Sequence, residues 1–94
     1  MRPPTTVYIL RSEAQSERWY TGVTSNICAR LAAHNRGDSR HTATGRPWRL
    51  EVAIEFAVPD AAKAFELYLK SGSGRAFARR HFRTPDDASN SPKL

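Results

Sequence analysis

Two short apolar runs near the start of the chain, each carrying one tyrosine, constrain the fold more than any other feature. The first is Thr6-Val7-Tyr8-Ile9-Leu10 and the second Trp19-Tyr20-Thr21-Gly22-Val23-Thr24. Both are rich in β-branched and aromatic residues, which predicts strands over residues 6–11 and 18–23. The polar segment between them is short enough for a hairpin loop. Side chains alternate across a sheet, so the register decides where the two phenols point. Direct pairing of Tyr8 with Tyr20, or an offset of two residues, places both on one face.

The segment 25–36 predicts a helix, with a hydroxyl of Thr24 or Ser25 on its free N–H groups and Gly37 at its left-handed end. Ile27 and Leu31 are four apart and face the core, while Asn26, Arg30 and His34 form an adjacent stripe. A guanidinium and an imidazole therefore fall near the phenols. A basic loop follows, holding Arg40, His41 and Arg46. Residues 48–57 alternate, with Trp48, Leu50, Val52, Ile54 and Phe56 on one side and Arg49, Glu51, Ala53 and Glu55 on the other. That pattern predicts a half-buried strand.

Pro59 and Asp60 suit the start of a second helix, with Ala61, Phe65, Tyr68 and Leu69 as its apolar stripe and Gly72 at its end. A third helix opens at Ser73 or Gly74 and carries Phe77, Ala78, His81 and Phe82 on or near one face. Residues 84–94 have the composition of a flexible tail. The expected organisation is one α/β domain over residues 5–83, in the order ββαβαα. Its three strands form a small antiparallel or mixed sheet flanked by helices. A helix separates the second strand from the third, so those two need not be neighbours.

Composition narrows the function. At 94 residues the chain has room for one modest core. No apolar run approaches the roughly 20 residues of a membrane span. Met1-Arg2-Pro3-Pro4 is not followed by a signal-peptide core, so a cytoplasmic location is expected. Cys28 is the one cysteine; it excludes an internal disulfide or a cysteine-based zinc site and is expected half-buried in the first helix. Net charge is +6, and twelve of the fifteen basic residues are arginine, the side chain that forks onto phosphate oxygens. A polyanion partner fits that balance as well as a plain soluble surface does.

The chain resembles the GIY-YIG nuclease family, named for two strand motifs that stand here as Thr6-Val7-Tyr8 and Tyr20-Thr21-Gly22. The resemblance runs on through Arg30, His34 and Glu66 to the stretch Leu69-Lys70-Ser71-Gly72-Ser73-Gly74-Arg75-Ala76-Phe77, which is similar to the small single-domain bacterial branch. It implies a metal-dependent endonuclease acting on DNA, branched or damaged DNA included, with Mg²⁺ or Mn²⁺ as cofactor. It implies Tyr8 as the better candidate for the base, Glu66 as metal ligand and Arg30 as phosphate ligand. His34 and His41 resemble family positions that assist proton transfer or bind phosphate. The family's downstream asparagine has no assignable counterpart here.

The residue types suit that chemistry. Phosphodiester hydrolysis needs an activated water, neutralised phosphoryl oxygens and a supported leaving oxygen. Glu66 is the one acid in the second helix beyond its first turn, and a lone carboxylate can hold Mg²⁺ because that ion keeps several waters. Arg30 can fork onto a non-bridging oxygen, and Tyr8 or Tyr20 can align or deprotonate the water. A phenol titrating near pH ~10 needs help to act as a base. Arg40, His41, Arg46, Lys70, Arg75 and Arg79 are candidates for binding the nucleic acid around the site. Taken singly, each residue has a plainer role: core tyrosines, a solvated arginine, and a Glu66–Lys70 surface pair. The ordered set favours the nuclease. The competing expectation is a non-catalytic DNA- or RNA-binding module on a nuclease-like fold. Nothing resembles a separate specificity domain, so weakly sequence-selective, structure-selective or partner-directed cutting is expected, the partner being an unidentified protein.

Overall fold

A computed structural model describes residues 2–83. The expected order holds: strand β1 (Thr6–Ser12), strand β2 (Trp19–Thr24), helix α1 (Ile27–Arg36), a 3₁₀ turn at Ala43–Gly45, strand β3 (Trp48–Glu55), helix α2 (Pro59–Leu69) and helix α3 (Gly72–His81). The sheet is antiparallel throughout with β1 in the middle, in the order β2-β1-β3. The strands that a helix separates in sequence are thus the two edges. The tail predicted over residues 84–94 lies outside the described residues.

In the hairpin, Tyr8 pairs with Gly22 and Leu10 with Tyr20. The tyrosines are offset by two, so both rings stand on one face, their centroids 6.3 Å apart. Gly22 is required by that offset. A Cβ there would lie 2.5 Å from the Tyr8 hydroxyl oxygen, because the phenol crosses its backbone.

The α1 face of the sheet buries Tyr8, Leu10 and Trp48, with Tyr20, Ile27 and Leu31 packed on them. The opposite face buries Val7, Ile9, Ala62, Leu69 and Ala78, flanked by Phe56, Phe65, Phe77 and Phe82. Helices α2 and α3 cover that second face.

Several local expectations shift. Neither Thr24 nor Ser25 caps α1; Asn26 does, its side chain accepting from the Ala29 N–H at 3.0 Å. Thr24 instead accepts from the Asn26 N–H at 3.1 Å, turning the chain into the helix. Cys28 is exposed, because it lies off the Ile27–Leu31 side that meets the sheet. Gly72 opens α3 rather than closing α2. The hinge is Ser71, which donates to the Tyr68 carbonyl at 2.6 Å and accepts from the Gly74 N–H at 3.1 Å. On α2 the buried stripe is Ala62, Glu66 and Leu69, while Tyr68 is 39% exposed.

The alternation of β3 also breaks. Ile9 pairs with Val52 but Leu10 with Leu50, which leaves Glu51 as an extra residue. Such a bulge moves everything beyond it to the other face. Trp48 therefore packs under α1 and Val52 under α2 and α3, whereas strict alternation puts them together. Leu50 is left 39% exposed and the Glu51 side chain is buried against Arg11 and the Trp19 indole.

Candidate active site

Helix α1 crosses the sheet so that its last turn brings His34 over the two tyrosines. The imidazole centroid is 5.0 Å from Tyr20 and 5.9 Å from Tyr8. His34 Nε2 lies 3.0 Å from the Tyr8 hydroxyl, and its Nδ1 lies 2.8 Å from Thr42 Oγ1. All three residues are buried, at 0% exposure for Tyr8, 2% for His34 and 1% for Thr42. An unpaired polar group would be costly at such depth, and none is left so among the described side chains.

The loop that carries Thr42 is fastened on several sides. Asn35 donates to the Trp48 carbonyl at 2.9 Å and accepts its N–H at 2.6 Å. The Trp48 indole N–H donates to the Thr42 carbonyl at 2.7 Å. Ser12 donates to the Gly45 carbonyl at 2.6 Å, and Arg18 reaches the Thr44 hydroxyl at 2.8 Å and the His41 carbonyl. Thr42 is therefore a fixed point against which His34 is aligned. Sequence reading missed it, since a threonine eight residues past His34 shows no periodicity or motif.

Electrostatics set the protonation of the pair. Burial pushes the Tyr8 phenol above its usual value, more than the adjacent Arg30 guanidinium pulls it down. Burial also lowers His34, and the Arg30 charge lowers it further. At neutral pH the phenol thus keeps its proton and the imidazole is neutral, with one donor and one acceptor nitrogen.

The predicted residues divide by position. Tyr20, Arg30 and His34 wall a 220 Å³ depression with Ala33, Asp38 and Ser39. Glu66 is buried on α2, its Oε2 2.5 Å from Lys70 Nζ, and its charge is among those acting on the Tyr8 phenol. Lys70 and Arg75 line a neighbouring recess together with Tyr20. The others stand apart. Arg40 and His41 are exposed on the loop. Arg46 donates to the Ala43 carbonyl at 2.7 Å and lines a separate depression with Asn35, Thr44 and Pro47. Arg79 lies in the last turn of α3.

Among the described residues, no group of three or more His, Cys, Asp or Glu could hold a metal ion. A single buried carboxylate still fits a hard ion of the Mg²⁺ kind, which completes its shell with water and substrate phosphate. No helix among those residues is long and apolar enough to cross a membrane.

The chain is 39% identical over 72 residues to the "Structure-specific endonuclease subunit SLX1" of Chaetomium globosum, a match covering 70% of this chain. It spans only 22% of that relative's length. No solved structure matches. The model of the GIY-YIG catalytic domain matches residues 4–80, nearly the whole described fold. The chain belongs to the GIY-YIG catalytic-domain family, the nuclease family that its two tyrosine motifs resemble.

Proposed function

We propose that this domain hydrolyses phosphodiester bonds in DNA, at a phosphate seated in the depression between Tyr20, Arg30 and His34. The observation that supports it most is the buried Tyr8–His34–Thr42 chain beside that depression. Tyr8 is protonated at neutral pH, so it acts as a relay rather than as a preformed phenolate. Thr42 Oγ1 also reaches the Ser39 carbonyl at 3.5 Å, an acceptor only. With its own proton directed there, Oγ1 accepts from His34 Nδ1–H, and Nε2 is free to accept from Tyr8. As water attacks phosphorus, its proton passes to the Tyr8 oxygen while the Tyr8 proton passes to Nε2. His34 ends as imidazolium, and the leaving strand departs as an oxyanion that takes a proton from solvent.

Arg30 forks onto the non-bridging oxygens, where charge grows in the transition state. Glu66 is the residue that would hold Mg²⁺ or Mn²⁺, an ion that neutralises phosphoryl charge and supports the leaving oxygen when bound. Arg40, His41, Arg46 and Arg79 supply a basic surroundings for the duplex, and Lys70 and Arg75 a closer contact. Selectivity for DNA structure over sequence is part of this reading, in keeping with the wording of the relative's name. So is a protein partner supplying specificity, since that relative is described as a subunit. The cytoplasmic setting expected from the sequence belongs here too.

Cleavage of branched, nicked and linear DNA with Mg²⁺ or Mn²⁺ tests the proposal. Glu66→Ala and Arg30→Ala are each expected to lose about 10²–10³-fold in rate while DNA binding persists. Activity untouched by either substitution overturns the mechanism. Salt-dependent binding with no cleavage under any divalent ion makes the domain a binding module instead.

A further inference from the structure

Tyr20, which walls the phosphate depression, also lines a larger recess of about 480 Å³. Ile9, Leu69 and Ala78 give it an apolar floor; its rim holds Arg18, Trp19, Lys70, Arg75 and Arg83, against Glu17 as the one lining acid. Lys70 is taken by Glu66. Arg18, Arg75 and Arg83 have no carboxylate within ion-pair distance among the described residues. Arg18 donates only to neutral oxygens, those of Gln15, Thr44 and the His41 backbone.

Arg83 is held in an unusual way. Its guanidinium carbon sits 3.7 Å from the Trp19 ring centroid, and the indole is pinned by donating to Glu51 Oε1 at 3.0 Å. The result is a flat cation stacked on a fixed aromatic ring. Nucleobases stack on guanidinium planes as they do on aromatic rings. Burial and the nearby Arg79 and Arg11 charges disfavour the charged form of Arg83 more than the Glu51 and Glu17 charges favour it.

The recess is the size of a small-molecule site, room for a nucleotide or two. A paired helix, whose major groove alone is about 12 Å wide, does not enter it. We propose that this recess binds an unpaired segment of the nucleic-acid strand, with a phosphate on Arg75 and a base on the Arg83–Trp19 stack. Because Tyr20 walls both cavities, the unpaired segment lies directly beside the scissile phosphate. The domain would then detect where a strand leaves the duplex, which deepens the reading of structure-selective cleavage and rests on it.

The test is fluorescence anisotropy on the intact chain without divalent ions, using a labelled eight-nucleotide oligothymidylate and a labelled blunt duplex. Arg83→Leu is expected to weaken oligothymidylate binding by about tenfold or more, with duplex affinity nearly unchanged. Arg83→Lys keeps the charge but not the planar stack, and is expected to behave like Arg83→Leu; it guards against a folding defect, checked by thermal unfolding. Parallel loss on both probes, or no loss on either, overturns the inference. If branched DNA is cut normally while these variants bind oligothymidylate as wild type does, the recess assignment fails and the nuclease reading stands. If neither probe binds at all, both fail.

Discussion

The sheet face under α1 buries a phenol, an imidazole and a threonine hydroxyl, whereas the face under α2 and α3 buries valine, isoleucine, leucine and alanine. Each large apolar side chain on the second face contributes about 1.5–3 kcal/mol. A buried hydrogen bond contributes only about 0.5–1.5 kcal/mol net, while breaking one costs more. The two faces thus answer to different demands. One is packed from aliphatic and aromatic side chains; the other, besides burying Leu10 and Trp48, holds three polar groups in register. Adjacent residues of β1 fall on opposite sides of this division, Val7 on one and Tyr8 on the other.

That adjacency makes the contrast breakable. Tyr8→Phe removes one oxygen and is expected to slow DNA cleavage by about 10²–10⁴-fold in single-turnover assays. Its effect on urea unfolding should stay within about 1–3 kcal/mol, the cost of an unpaired His34 nitrogen. Val7→Ala should do the reverse: a loss of roughly 1.5–3 kcal/mol in urea unfolding, with the cleavage rate per folded molecule kept. If both substitutions act mainly on stability, the division between the faces is wrong.

A subtler change sharpens it. Thr42→Val keeps shape but removes the partner of His34 Nδ1, at a cost of about 1–3 kcal/mol. The ¹⁵N shifts of His34 should then show its tautomer changed, and cleavage should fall, while Thr42→Ser restores both. The smallest effect is in acid. The folded-state value of His34 is lowered, so below the ordinary imidazole pKa of ~6.5 the unfolded chain binds more protons. Stability therefore declines as pH drops from 7 toward 5, and His34→Gln should flatten that decline in urea titrations.

The sequence made the apolar face and the hairpin legible because both rest on local pattern: β-branched runs, a short polar loop and helical spacing. Tyr8, Tyr20, Arg30 and His34 were findable through the family resemblance, and helical spacing set Arg30 and His34 on one stripe, while strand parity left the tyrosine register open. Three things were not. The bulge at Glu51 costs one residue of register and leaves no mark in an alternating run, so Leu50 and Val52 seem to share a face that the fold separates. The position of Thr42 depends on tertiary bonds from Trp48, Asn35, Ser12 and Arg18 that draw in a loop with no periodicity. The recess beside Tyr20 joins β2 to α2 and α3, and the seat of Arg83 on Trp19 spans 64 positions of sequence (83 minus 19).

The claim at the centre is that His34 accepts the proton Tyr8 passes on. Glutamine at position 34 can still hold the Tyr8 hydroxyl but cannot take its proton, so the single-turnover cleavage rate of His34→Gln on branched DNA, at saturating protein, tests it most directly. The account predicts a fall of about 10²-fold or more with DNA affinity unchanged. A rate equal to wild type would contradict it.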